Sequence, residues 1–492
     1  MNLYKLFSNL ISMAKMKVPK GTFEIASLLD ERRKFPSLEC LTAEQIKEVR
    51  NRVTNLRSFH SKAKLAYQTV NYFGDWIAER GFKERDLFDD SPITEKKFFY
   101  KDPWQGSSMI IVNQGKKPLT EGFRLIVSHA DSPCLRVKPR PIHMEEKSSE
   151  DIYNYLGVRL STIPHGGIIT SNWVGQQVKI MGYTLDKNRK RREITFPGFV
   201  GINSVHVESE GTQDLRETSP EASLEIITGY AGIRKFLKTL NLDNLDDFAA
   251  SRLWAVPTNE MELLDESSMN LLVGYGHDNR TTTFSAVDSI ARIQNPEYAS
   301  IVWVVDNEEI FDPAPSGSRG NGLEMIIDKM LESQEKKEGR KISVNEKNML
   351  YVKSKMITGD VTFAPYGPDA PVSDYRSAAK IGLGTVIEGG DIQGYNPLFI
   401  RDLIGLTKQL TKKKPRLCHQ VTGQFYDQDM VSLWFSPEDQ SSFPKKGVSN
   451  SWVAIPCACL HSAVEAICPG DEYATSELYR RFFESNVKTF KK

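Results

Sequence analysis

SIVWVVDNEEI, residues 300–310, is the stretch on which the reading of this chain turns. A short, nearly unbroken apolar run rich in β-branched residues reads as a strand buried on both faces. It runs directly into Asp306, Asn307, Glu308 and Glu309. A buried strand tip is a costly place for three acids unless a cation or a reaction uses them.

Around this strand the pattern alternates. TTTFSAVDSIARI (281–293) has helical periodicity before it, and NGLEMIIDKMLESQ (321–334) after it. SQEKKEGRKISVNEK reads as a solvated helix end or loop, KMITGD as a short strand, and RDLIGLTKQLTKK as a helix. SWVAIPCACL reads as a strand and SAVEAI as the start of another helix. Strand and helix in alternation imply an α/β fold, a largely parallel sheet with helices on both faces. Upstream, 108–112 and 124–128 read as strands, and 42–81 reads as one helical run ended by Gly81. Thr42 and Gln45 have capping-box spacing. Between about 140 and 260, β-like runs such as QQVKIMGYTL and REITFPGFVGI alternate with Gly/Pro turns. The expected organisation is an N-terminal extension (1–40), an α/β domain in two parts (41–139 and 262–492), and an inserted, mainly β domain (140–261).

The 492 residues exceed what one core usually serves, in keeping with an insertion. A composition of 40% hydrophobic and 26% charged residues excludes a disordered chain. Net charge +1 gives no field for recruiting nucleic acid or acidic lipid, and no apolar run has membrane-spanning length. The six cysteines show no C-x-x-C spacing, which points to a reducing compartment, with the cytoplasm expected, and to no structural zinc. MNLYKLFSNLISMAKMK reads as a short amphipathic helix or a frayed start, with a transit peptide as the alternative. Gly274-x-Gly276 lacks the third glycine of a dinucleotide fingerprint. The sequon Asn279-Arg280-Thr281 is read as chance.

In open α/β sheets, ligands bind beyond the carboxyl ends of the strands. LIVSHADSP ends its strand on His129, with Asp131 two residues on and on the same face if extended. MITGDV ends at Asp360, and WVAIPCACLHS at His461. Asp278, in GYGHDNR, precedes the helix expected near Thr281. Singly, each has a plain reading: a satisfied polar histidine, an N-cap aspartate, surface glutamates. Their joint occurrence at equivalent positions favours a site. Two imidazoles with several carboxylates suit zinc, cobalt or manganese better than calcium. Two ions about 3.5–4 Å apart, sharing one carboxylate, would use so many acids. One acid then remains as general base for a water. Adjacent glutamates at a strand end point apart, so one can hold metal while the other faces that water.

On SHADSPCLRVKPRP, HGGIITSNW, GYGHDNR, VVDNEEI, ITGDV and CLHSAVE, the chain resembles the M18 aspartyl aminopeptidases, most closely their bacterial-type branch. FHSKAKLAYQTVNYFGDWIAERGF is similar to that branch's N-terminal helix, and the likeness runs from about residue 55 to 468. The resemblance implies a dinuclear-metal aminopeptidase, zinc first and cobalt or manganese as alternatives, acting on peptides. It implies a metallopeptidase-type α/β fold interrupted by a dimerisation domain. His129 and Asp360 would bind one metal, His461 the other, Asp278 both, and Glu309 would be a further ligand. Glu308 would be the general base, and Asp131 would orient His129. Family members form homo-oligomers built from dimers, up to a dodecamer, in which the GG-x-W region reaches a neighbour's site. Here that region holds His165, Ser171, Asn172 and Trp173 as substrate-binding or neighbour-reaching residues, and His165 also reads as a plain loop residue after Pro164. The chain departs from the family at Phe311-Asp312-Pro313, at Gly394 where a lysine is expected, and at Asp427 to Trp434. Arg376 or Arg401 would have to replace that lysine toward an acidic substrate. These departures keep open a second reading, a weakened or inactive relative acting as an assembly or cargo-binding component.

Overall fold

The computed structural model describes residues 36–142, 157–168, 172–185, 190–201, 224–230, 232–242, 245–310, 314–366, 378–389, 396–408, 417–422 and 442–486. Residues 1–35, Ser171, 311–313, Arg376, Gly394 and 427–434 lie outside them.

The apolar run forms the strand Ala299–Val305, buried at every residue. Ile301, Trp303 and Val305 join one hydrophobic cluster, and Val302 and Val304 another. The two-residue period of a strand sends alternate side chains to opposite faces, so this strand has a core on each side. Its neighbour Phe123–His129 divides the same way, with Leu125 and Val127 on one face and Ile126 on the other. The parallel heart of the sheet is, in spatial order, Ala299–Val305, Phe123–His129, Lys355–Phe363 and Ser449–Ala458. Antiparallel strands flank it: Met109–Asn113 on one side, Glu465–Ile467 and then Leu272–Gly274 on the other. The expected parallel sheet is therefore parallel at its centre and antiparallel at its flanks. Helices Ala43–Lys62, Ala66–Ala78, His277–Arg292 and Pro469–Glu484 pack on one face. Gly322–Glu338 and Val344–Lys353 pack on the other. Among the described residues, no helix is long and apolar enough to cross a membrane.

Shortly after His129 the chain leaves the sheet and builds a closed six-stranded barrel. Its spatial order is Ser251–Pro257, Cys134–Val137, Arg159–His165, Glu225–Ile227, Arg191–Val200 and Gln177–Leu185. It has its own core, which includes the fully buried Trp173 and Phe236. The chain rejoins the sheet at Glu262–Leu263, which pairs antiparallel with Leu272–Gly274, the strand just before Asp278. The outgoing connection thus lies beside His129 and Asp131, and the returning chain reaches Asp278 after one short pair of strands.

Two local expectations are corrected, at 42–81 and at SAVEAI. The run 42–81 is two helices, capped at Thr42 by the expected capping box but broken after Lys62. The break frees the Ala63 carbonyl, which accepts from Arg280 Nη1, while Gln68 Oε1 caps the N–H groups of Lys64 and Leu65. The charge run 333–347 is, as expected, a helix end and the loop after it, and its last residues start a further helix with a capping box at Ser343. SAVEAI is not a helix start. Glu465–Ile467 is a strand held on both sides by pairing, and the helix begins only at Pro469, where proline's missing N–H costs nothing.

Gly359 lies inside the Lys355–Phe363 strand, where a Cβ would be 2.7 Å from Tyr479 Oη and 3.3 Å from Ile126 Cγ2. Tyr479 is fully buried and donates to the Val453 carbonyl at 2.7 Å, so it has little room to retreat. Gly359→Ala is expected to destabilise by about 1–3 kcal/mol, read from the urea midpoint. Combined with Tyr479→Phe, it should cost less than the sum of the single changes. Strict additivity contradicts this packing.

Candidate metal centre

His129 ends its strand, 1% exposed. Its Nδ1 lies 3.1 Å from the Asp131 carbonyl oxygen, so the Nδ1 proton is donated there. Its Nε2 then faces carboxylates: Asp278 Oδ1 at 3.4 Å, Asp360 Oδ1 at 3.4 Å and Glu308 Oε2 at 3.8 Å. His461 lies in the turn after the Ser449–Ala458 strand with φ 64°. Its Nδ1 donates to the Gly167 carbonyl at 2.8 Å, which leaves Nε2 3.2 Å from Asp278 Oδ2 and 3.8 Å from Glu309 Oε2. Asp278 therefore offers one oxygen to each histidine.

Asp360 lies within its strand, which runs on to Phe363, and not at its end. Asp278 sits in an irregular first turn of His277–Arg292, with φ −77° and ψ 112°. The Asn279 amide ties this turn to the sheet, donating to Ser128 Oγ at 3.1 Å and the Gly359 carbonyl at 2.8 Å. Those partners immediately precede His129 and Asp360. Asn279 is fully buried, which removes it as a glycan acceptor.

The acids of VVDNEEI separate by backbone geometry. The strand stops at Val305, Asn307 takes a left-handed φ of 60°, and Glu308–Ile310 form a 3₁₀ turn. The glutamates thus diverge from a turn, not from a strand end. Asp131 holds that turn: its carboxylate accepts from the backbone N–H groups of Glu308 and Glu309, both at 3.2 Å. Asp306 is buried and turned back on the backbone, with Oδ1 accepting from Asn307 N–H at 2.8 Å.

The electrostatics are those of crowded, buried acids. Burial raises the Glu309 and Asp360 carboxyls above their usual range. Burial lowers the imidazoles, but Glu308 and Asp360 outweigh it and push His129 well up, while Glu309 and Asp278 push His461 up to about 11. Asp131 is buried too, yet hydrogen bonds with His129 and His165 hold it well below the usual range. Glu309 Oε1 is buried without a hydrogen-bond partner, an arrangement that costs stability unless a ligand satisfies it. Two sets of donor atoms within 4.8 Å of one another share Asp278: His129–Asp278–Asp360 and Asp278–Glu309–His461. Nitrogen and carboxylate donors with an orphaned oxygen suit a divalent transition ion.

The barrel's loop reaches this centre within the same chain. His165 Nε2 is 2.9 Å from Asp131 Oδ2, and the buried Trp173 donates its Nε1–H to the His461 carbonyl at 3.2 Å. Between them, Gly166 has φ 85°, and a Cβ there would be 2.6 Å from Glu309 Oε2. Only glycine fits such an approach. Asn172 is exposed.

A family model described as aminopeptidase I zinc metalloprotease (M18) matches residues 59–204 and 208–396. The chain belongs to the M18 family. As an M18 metalloaminopeptidase it is a hydrolase. The probable M18 family aminopeptidase 1 of Borrelia garinii subsp. bavariensis is 26% identical over 401 residues, 76% of this chain and 83% of its own. The crystal structure of the M18 aminopeptidase from Thermotoga maritima superposes with a TM-score of 0.75 at 20% identity, covering 89% of this chain and 97% of its own. The S. cerevisiae mApe1 dodecamer gives a TM-score of 0.66 at 15% identity, with 88% and 96% covered. These superpositions show that the M18 aminopeptidase shares their fold. His461 lies beyond the span matched by the family model and is brought to the centre by the sheet.

Sequence reasoning missed Gly167, whose carbonyl sets the His461 tautomer, and Glu465, whose carboxylate accepts from the backbone N–H groups of Asp278 and His461. Glu465 closes the CLHSAVE stretch quoted above, but its residue type and spacing suggested no role for it. Asp131→Asn would put an amide NH₂ where one carboxylate oxygen now accepts. It is expected to weaken zinc affinity about 10- to 100-fold, measured by competition with a chromophoric chelator. An unchanged affinity would show that Asp131 does not support the centre.

Proposed function

We propose that this M18 aminopeptidase uses two divalent metal ions, zinc by preference, to remove N-terminal residues from peptides. The observation that carries the reading is Asp278, whose two carboxylate oxygens face two different imidazoles. His129, Asp278 and Asp360 would hold one ion, and Asp278, Glu309 and His461 the other. When bound, such ions polarise the scissile carbonyl and lower the pKa of a water. Glu308 is the assigned base: its carboxylate is partly exposed and lies at the edge of the cluster, 3.8 Å from His129 Nε2. It takes the proton from the attacking water and delivers it to the leaving amine. Asp131 keeps His129 oriented and the 308–309 backbone in register.

The substrates are proposed to be peptides whose N-terminal residue is not restricted to Asp or Glu. A buried substrate carboxylate needs a cationic partner, and the chain has Gly394 where the family resemblance implies a lysine. Homo-oligomerisation and a cytoplasmic location complete the reading. The yeast relative described as a dodecamer supports the first.

An assay of anilides with different N-terminal residues, with zinc, cobalt and manganese added in turn, tests the activity. Turnover of Leu or Ala substrates at least equal to that of Glu is expected. Metal uptake without turnover on any of them would instead favour the assembly or cargo-binding reading. Glu308→Gln should keep its metal and lose about 10²- to 10⁴-fold in turnover. Glu309→Gln should lose metal and activity together. If Glu308→Gln sheds the metal and Glu309→Gln retains it, the two glutamates have exchanged roles.

A further inference from the structure

Glu465 is a buried carboxylate, 1% exposed, for which the mechanism above has no task. It opens the three-residue strand Glu465–Ile467, which pairs with the strand leading to His461 on one side and the strand leading to Asp278 on the other. Its register opposite Gly274 aims the side chain between those two segments. Oε2 accepts from the Asp278 backbone N–H at 3.0 Å, and Oε1 from the His461 backbone N–H at 2.9 Å. Both recipients have irregular backbone. Asp278 has ψ 112° inside a helix, and His461 has a left-handed φ of 64°, a costly conformation for a residue with a side chain.

We propose that Glu465 is a positioning residue that clamps the Asp278 and His461 backbones and so sets the separation of their side chains for metal binding. The proposal rests on the two-ion reading of the centre. A carboxylate is suited to the task because both of its oxygens accept. Glutamine of the same shape can accept from one N–H only, and its NH₂ then opposes the other donor.

The test uses full-length protein stripped of metal and titrated with zinc by calorimetry. The wild type should bind two ions, and Glu465→Gln should bind them about 10- to 100-fold more weakly. A second readout separates positioning from general damage. The melting temperature of the metal-free variant should stay close to that of the metal-free wild type, while the rise on adding zinc shrinks. If the variant does not fold, hydrogen exchange of the wild type decides, because the amides of Asp278 and His461 should be strongly protected. A wild type that binds no zinc would overturn the two-ion reading itself. A wild type that binds two ions and a Glu465→Gln protein that binds them equally tightly would overturn the clamp, as would rapid exchange at those amides.

A separate observation concerns two cysteines that take no part in the centre described above. Cys40 Sγ and Cys418 Sγ are 3.1 Å apart although 378 residues separate them in sequence. Cys40 follows the short helix Pro36–Glu39, and Cys418 precedes the strand His419–Thr422. The backbone on both sides is already docked, since Cys418 Sγ contacts the Pro36 carbonyl at 3.3 Å and Ser37 N–H donates to the Gly382 carbonyl at 3.0 Å. Cys40 is exposed and therefore reachable by small thiol reagents. The geometry points to a reversible dithiol–disulfide site that fastens the N-terminal helix to the catalytic domain. One thiolate attacks a small disulfide and releases one thiol. The other thiolate then displaces the second thiol from the mixed disulfide, so two small thiols leave as one protein disulfide forms.

Incubating the metal-loaded full chain with oxidised glutathione should give a cross-linked pair of peptides containing Cys40 and Cys418, cleaved again by a reductant. Cys40→Ser should stop at a glutathione adduct on Cys418. If both wild-type thiols remain open to alkylation, or carry only separate adducts, the pair is not such a site.

Discussion

The Asp278 carboxylate lies 3.4 Å from His129 Nε2 through one oxygen and 3.2 Å from His461 Nε2 through the other. A carboxylate shared by two imidazoles must be buried, rigid and placed between elements distant in sequence. Burial crowds it against Asp360 and Glu309, whose carboxyls are raised above their usual range by that burial. The same carboxylates raise the pKa of both imidazoles, and the donor atoms converge on one volume. Divalent cations held there would take the place of those protons. The same crowding that opposes folding of the bare chain thus becomes affinity for metal.

Rigidity comes from backbone hydrogen bonds to side chains. Asp131 accepts from the 308–309 turn, Asn279 donates toward the residues before His129 and Asp360, and Glu465 accepts from Asp278 and His461. The barrel joins in through Gly167 and Trp173, which grip the ring and the carbonyl of His461. The inserted domain is consequently part of the centre of its own chain. Gly166 permits this by letting the loop approach Glu309 more closely than any side chain would allow.

The parallel heart of the fold was legible because its strands are buried on both faces and read as continuous apolar runs, as in Ile301 to Val305. The acids and histidines of the candidate site were legible because the sheet gathers strand ends, and their joint occurrence there had no plainer explanation. What stayed hidden depends on pairing. SAVEAI has too few residues to reveal a period, and only its neighbours on both sides make it a strand. Glu465 is silent in sequence because its two partners include one that is 187 residues away. The glutamate pair could not be ordered by spacing either. A left-handed Asn307 and the grip of Asp131 decide that Glu309 faces His461 while Glu308 stays at the edge near His129.

The central claim is that one carboxylate is shared by two metal ions. Anomalous diffraction at the zinc absorption edge, from crystals of the wild-type protein grown with zinc, tests it most directly. The account predicts two anomalous peaks per chain, one beside His129 and Asp360 and one beside His461 and Glu309, with Asp278 between them. A single peak, or peaks that do not flank Asp278, would contradict it.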